Sequence, residues 1–186
     1  MSRMVVVLVI GAVVVLVALW VVVTYNRLIR LRNRIENAWA QIDVQLKRRY
    51  ELIPNLVETV KGYSEHEQDT FERVIAARQR GMAAGTVQEQ AEAENLLTGA
   101  LRQMFALSEA YPQLRANESF LQLQEELAAA EGRIAYARQS YNEAVYRYNT
   151  RLESIPDVVL ASALRLNQRE YFEVDGEAAG PVEVDF

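Results

Sequence analysis

The residues of this chain that could do chemistry are few. It has one histidine, His66, and no cysteine, which excludes disulfides, thiol nucleophiles and a lipoprotein attachment site. Carboxylates are plentiful, and a helical bundle can hold a di-metal carboxylate site. That chemistry needs Glu on two helices and Glu-x-x-His on two others. No glutamate lies three residues before His66, so the ligand set is not met. His66 has no evident partner for acid–base or nucleophilic work, and Glu65, His66 and Glu67 read as a solvated helix start. No catalytic, metal-ligating or cofactor-binding residue is therefore assigned, and no cofactor is expected.

What remains are residues suited to interaction. Lys47, Arg48 and Arg49 form a basic triplet within QLKRRYELIPNLVETVKGY. Adjacent helical residues point about 100° apart, so one of the three should face inward and pair with glutamates of a partner helix, such as Glu125, Glu126 or Glu131. The other reading is a surface for an acidic partner. Pro54 stands where a helix interior is expected. It costs about 3 kcal/mol there and leaves the Tyr50 carbonyl without its helical donor. A kink that serves packing is the simpler reading, and a bend that offers the Tyr50 carbonyl or Asn55 to a partner is the other. Tyr141-Asn142 and Tyr148-Asn149 repeat at a seven-residue interval and share one helix face. They read as core positions with hydrogen-bonded tips. A third Tyr-Asn pair is Tyr25-Asn26.

Those residues need helices to position them. From Leu28 the apolar residues Leu31, Ile35, Trp39, Ile42, Leu46, Ile53, Val57 and Val60 keep helical spacing. No strong breaker separates this pattern from the apolar stretch before it. Ser64 to Glu67 reads as a capping box for a second helix reaching about Ala83, with Phe71, Val74, Ile75, Arg78 and Met82 on one face. Thr86-x-x-Glu89 would cap a third, which buries Leu96, Leu97, Ala100, Leu101, Met104 and Phe105 and stops before Pro112. Asn117 would cap a last long helix with the stripe Phe120, Leu123, Leu127, Ile134, Tyr141, Val145, Tyr148, Leu152, Ile155. A short amphipathic helix is expected over Asp157–Leu166.

Residues 4–23 contain no charge and would span roughly 30 Å as a helix, the thickness of a bilayer core. Trp20 and Tyr25 close the run as interfacial aromatics, and no small-residue cleavage site follows, so an uncleaved anchor through the lipid bilayer is expected. Arg27, Arg30, Arg32 and Arg34 follow the span while Arg3 precedes it, which places the bulk of the chain in the cytoplasm of a single-pass cell-membrane protein. The net charge of −5 argues against nucleic acid as a partner.

The expected fold class is all-α: a transmembrane helix continuous with an elongated antiparallel bundle of about four helices. The expected organisation is an anchor over 1–24, a helical bundle over 25–166, and an acidic tail over 167–186 that stays flexible unless it docks.

These blocks resemble the LemA family of bacterial membrane proteins. The resemblance rests on Tyr25-Asn26 followed by LIRLRNRIENAWAQIDVQLKRRYELIPNLVETVKGY and His66-Glu67. It continues in Arg138, Tyr141-Asn142, Tyr148-Asn149-Thr150 and Ile155-Pro156, and in REYFEV and the terminal PVEVDF. It implies a membrane-anchored helical bundle without an established enzymatic activity. Some members look like lipoproteins with a cysteine just before the Tyr-Asn pair, where this chain has Thr24. Family members are often associated with membrane proteases and membrane stress. One departure is Leu164-Arg165-Leu166, where members often carry an aromatic-Gly-aromatic turn; arginine is costly there if the backbone needs a positive φ.

The function expected is a self-assembling, membrane-anchored scaffold or adaptor without catalysis. Its partners would be further copies of itself and a membrane protein. The alternatives are a regulatory partner of a membrane protease or envelope-stress system, and an enzyme with an unrecognised carboxylate site. Interaction or signature positions are Asn26, Arg48, Arg49, Pro54, Asn55, His66, Tyr141, Asn142, Tyr148 and Asn149.

Overall fold

A computed structural model describes residues 2–64 and 66–173. Among the described residues the chain forms helices and no strand. These are α1 (Ser2–Lys61), α2 (Gln68–Ala83), α3 (Val87–Ala110), α4 (Pro112–Arg115), α5 (Glu118–Glu153) and α6 (Asp157–Ala163). The all-α expectation holds.

The apolar N-terminal stretch and the first bundle helix are one element. α1 has 60 residues, about 90 Å at 1.5 Å each. Its first part, from Met4 through Leu19, is exposed on every face, as suits a helix solvated by lipid rather than by protein. From Leu28 onward one stripe is buried: Leu28, Ile35, Ile42, Leu46, Ile53, Leu56 and Val60. Each such side chain contributes about 2 kcal/mol when removed from water. That burial, rather than helix propensity, holds the soluble half of α1.

The helices alternate in direction. Arg78 of α2 reaches back to Tyr50, Thr98 of α3 meets Arg49, and α5 runs antiparallel to α1 along its whole length. Asn117 meets Tyr63, Glu131 meets Arg49 and Tyr141 packs on Trp39. The same register puts Leu152 level with Leu28 and Pro156 level with Thr24. The result is an up-down-up-down four-helix bundle in which α1 and α5 form the long pair and α2–α3 a hairpin beside them.

Caps fall mostly where the residues place them. Thr86 and Glu89 form the reciprocal capping box of α3, and the Asn117 side chain accepts from the Phe120 amide at the start of α5. Ser64 differs: its hydroxyl donates back to the Val60 carbonyl, and α2 begins with Glu67 at its cap position without a side-chain bond. Leu96 and Met82 are exposed, because Ala93 and Glu94 in α3 and Gly81 in α2 take the inward positions. Ile155 lies beyond the end of α5 and is exposed. Helix α6 stops at Ala163 because Arg165 adopts φ 52°. The left-handed conformation suspected at this position is present, at about 1 kcal/mol for a residue with a Cβ.

Pro54 lies within α1 with its ring exposed. The carbonyl it orphans is not open to a partner. The Arg78 Nε donates to the Tyr50 oxygen at 2.8 Å, a charge-assisted bond worth about 2 kcal/mol. The proline thus selects the docking position of α2. A double-mutant cycle tests the coupling. Arg78→Ala should cost about 2 kcal/mol with Pro54 present, and clearly less in a Pro54→Ala background, where the new amide satisfies Tyr50. Equal costs in both backgrounds, measured by chemical denaturation, would contradict it.

Candidate functional site

Two clusters hold four of the ten candidate positions: Arg49 in the first, and Tyr141, Asn142 and Asn149 in the second. The first lies inside the bundle at the level of the basic triplet. Of the triplet, Arg49 faces inward and is buried, while Lys47 pairs along its own helix with Asp43 and Arg48 is exposed. Arg49 donates to Glu94 Oε2 at 2.9 Å and to Thr98 Oγ1 at 2.8 Å, and pairs with Glu131 Oε2 at 2.8 Å. Of the three glutamates considered as its partners, Glu131 takes the role.

Glu94 is the residue that sequence reasoning missed. It occupies the buried stripe of α3 together with Leu97, Leu101 and Met104, and that spacing was the available signal. Its Oε1 accepts from the Tyr50 hydroxyl and from Gln90 Nε2 at 3.3 Å; Gln90 also donates to the Tyr50 oxygen at 2.8 Å. Burial raises the Glu94 carboxyl above its usual range, and Arg49 offsets this only in part. Burial and the charge of Glu94 push the Tyr50 hydroxyl upward as well, so it remains a donor at any working pH. Gly81 of α2 fits against this tyrosine, where an added Cβ would lie 2.9 Å from Tyr50 Cζ. The cluster ties α1, α2, α3 and α5 together with every Glu94 oxygen engaged, which suits specification of one packing arrangement rather than catalysis.

The second cluster is built from the Tyr-Asn pairs of α5. The Asn149 amide donates to the Arg169 carbonyl at 2.9 Å and accepts from the Arg169 N–H at 2.9 Å. Asn142 repeats the pattern on Phe172, at 3.1 and 2.8 Å. Between them the Tyr141 hydroxyl donates to the Glu170 carbonyl at 3.0 Å. The spacings match: seven helical residues rise about 10.5 Å, and three residues of extended chain cover about 9–10 Å. Because Arg169 and Phe172 both turn their N–H and C=O groups to one helix, the strap has about three residues per turn, as in polyproline II. Phe172 is buried beside Trp39, with ring centroids 6.1 Å apart. The Arg138 guanidinium lies 5.7 Å over its ring.

The structure therefore unites Tyr141, Asn142 and Asn149, and gives the asparagines a role beyond the core packing expected of the pairs. Tyr148 is buried in the bundle. Asn26, Arg48, Asn55 and His66 are exposed and separate from this cluster. The tail expected to be flexible docks over Arg169–Phe172; residues 174–186 lie outside the described residues. The strap is close to balance. Five neutral hydrogen bonds at about 1 kcal/mol each and about 2–3 kcal/mol from Phe172 oppose roughly 6–12 kcal/mol for ordering some six residues.

Fold and site together define a class: a membrane-associated all-α bundle whose long C-terminal helix clamps an extended segment by its main chain. The LemA family model matches residues 38–186, and the chain belongs to that family. It is 26% identical over 153 residues to Protein LemA of Metamycoplasma hominis, covering 80% of this chain and 68% of that protein. It is 23% identical over 175 residues to Magnetosome protein MamQ 2 of Paramagnetospirillum magneticum, covering 80% and 64%, and Magnetosome protein MamQ 1 of the same organism matches to the same extent. The chain thus spans about two thirds of the length of these relatives.

Two measurements check the clusters. Because its folded pKa is raised, Glu94 contributes most stability below the usual 4.5 and loses that contribution as pH rises through the window above it. Glu94→Gln does not titrate, so the stability of the native chain relative to this variant should fall as pH is raised from 4.5; parallel denaturation curves across pH would refute this. For the strap, Asn142→Ala and Asn149→Ala should each speed hydrogen exchange of the Arg169 and Phe172 amides while α5 amides keep their protection. Unchanged strap protection would show that the asparagines do not hold it.

Proposed function

We propose that this protein is a membrane-anchored scaffold that associates side by side with further copies and works without catalysis. The observation that carries the reading is the unbroken α1. A flexible linker would let each domain tumble over the membrane surface. A single helix shared by span and bundle instead fixes the direction of every copy, so neighbouring copies present the same faces in parallel. One such face is the groove between α1 and α5, of about 710 Å³, lined by Ala40, Val44, Ala129, Gly132, Tyr136 and Ala137. Val44 and Tyr136 are exposed there, and the small residues permit close approach.

The second reading, an adaptor beside a membrane protease or envelope-stress system, is favoured by the asparagine clamp. The clamp recognises main-chain groups and one aromatic side chain, and its own strap is held close to balance. An extended segment of a partner could take the same place, as in other modes of peptide capture. The arginines after the span support a cytoplasmic position for the bundle.

The test is the size of the full chain in native lipid discs. Wild type should be oligomeric, and Tyr136→Arg or Ala129→Arg should shift it to monomer with helix content unchanged. A monodisperse wild-type monomer sinks the scaffold and leaves the adaptor. In the same membranes, a single cysteine at Gln122 should resist impermeant reagent added from outside; ready labelling would overturn the cytoplasmic position.

A further inference from the structure

The register of α1 against α5 fixes where α6 sits. With Leu152 level with Leu28 and Pro156 level with Thr24, the chain leaves α5 at the height where the apolar stretch ends at Val23. Helix α6 packs on α1 at this height. The face of α1 that loses exposure there is Trp20, Val21, Thr24 and Leu28. Trp20 and Val21 belong to the apolar stretch itself, so α6 reaches the level of its last turn. From Leu166 the chain turns back, and the strap climbs α5 from Asn149 to Asn142. Residues 154–165 are thus the membrane-proximal turn of the bundle.

This turn is divided by chemistry. Its inner side holds Ala161 and Asp157; Asp157 is buried and paired with Arg151 at 3.2 Å. Its outer side exposes Ile155 at 87% and Val159 at 66% of full exposure, with Ser162 beside them; Leu164 falls by helical spacing on the side of Asp157. Elsewhere on the bundle, single exposed apolar residues are unremarkable, but these two lie four positions apart at the level where the apolar stretch ends. Arg27 and Arg30 of α1 and Arg165 at the end of α6 are exposed near this level, as is Glu153. An apolar edge with mostly basic residues beside it, level with the end of a membrane span, is the pattern of an interfacial element.

We infer that α6 docks on the bilayer that α1 spans, with Ile155 and Val159 seated in the headgroup–acyl boundary. The occupant follows from continuity with the span: lipid already surrounds α1 one turn away. Docking adds a second attachment point beside the anchor and so sets the rotation of the bundle about α1 as well as its height.

The inference rests on α1 spanning the bilayer, and the test separates the two. The chain has no cysteine, so single cysteines at Val159, Leu121 and Val14 can carry an environment-sensitive fluorophore in the full chain reconstituted into phosphatidylcholine–phosphatidylglycerol vesicles. Val159 is exposed and should tolerate the change; matching circular dichroism confirms folding. The Val159 probe should emit to the blue and be quenched by lipids with a nitroxide near the headgroup. The Leu121 probe, about 50 Å along α5, should emit as in water. The Val14 probe should be quenched by deep nitroxides. A water-like Val159 probe with a quenched Val14 probe overturns the docking and leaves the span intact. An unquenched Val14 probe overturns both. A blue-shifted Val159 probe that escapes quenching and reverts on dilution into excess lipid shows cover by a second copy, and overturns the docking too.

Discussion

The backbone ladder of α1 is the constraint on which the rest of the structure depends. A segment that crosses a bilayer core must pair every N–H and C=O within itself, and α1, long and apolar enough to cross one, meets that requirement as a helix. Continuing that ladder past Val23 leaves no joint between anchor and bundle. The buried stripe from Leu28 to Val60 then starts from a fixed phase, and α5 must lie along it to cover it. The direction of α5, the level of α6 and the return of the strap all follow from that phase.

Pro54 is the one interruption, and its consequence is organisation rather than weakness. Loss of an internal donor at Tyr50 is answered by Arg78 from α2. The next residue toward the membrane, Arg49, and the Tyr50 side chain itself meet α3 through Glu94. Within two adjacent residues of α1, therefore, both helices of the α2–α3 hairpin are fixed in height. Leu- and Ala-rich helices slide with small changes in packing energy, whereas a buried charge left without its partner costs several kcal/mol. The polar cluster supplies the discrimination that the apolar stripe lacks. Gly81, which admits the tyrosine ring, belongs to the same device.

Much of this was legible in the sequence, for identifiable reasons. The span, the long helices and the caps at Thr86 and Asn117 follow from periodicity and local hydrogen bonding, which act within a few residues. Arg49 could be expected to turn inward because adjacent positions diverge by about 100°. The misses arise where partners are distant in sequence. Glu94 looked like one more solvated glutamate because its value depends on Arg49 and Tyr50, more than forty positions away. Ser64 had the pattern of a cap but found a nearer acceptor at Val60. Leu96 and Met82 were placed inward by helical spacing and hydrophobicity, although the residues beside them, Ala93 and Glu94 in α3 and Gly81 in α2, take the inward positions. The asparagines of the Tyr-Asn pairs were read as accompaniment to the tyrosines because their partner is backbone, which has no sequence signature.

That last case shows why the clamp differs in kind from the polar core. Arg49, Glu94 and Tyr50 recognise particular side chains, are sealed from water, and lose energy steeply if any member leaves. Asn142 and Asn149 recognise the peptide group, which every residue carries, and only the Phe172 pocket adds selectivity. The gains from the strap's hydrogen bonds and from Phe172 are comparable to the entropy of ordering it. An interior held by the first kind of contact remains fixed while a surface held by the second kind exchanges. Where the apolar stretch and the bundle share one helix, the strap is then the segment whose contacts can be released without disturbing the packing of the bundle.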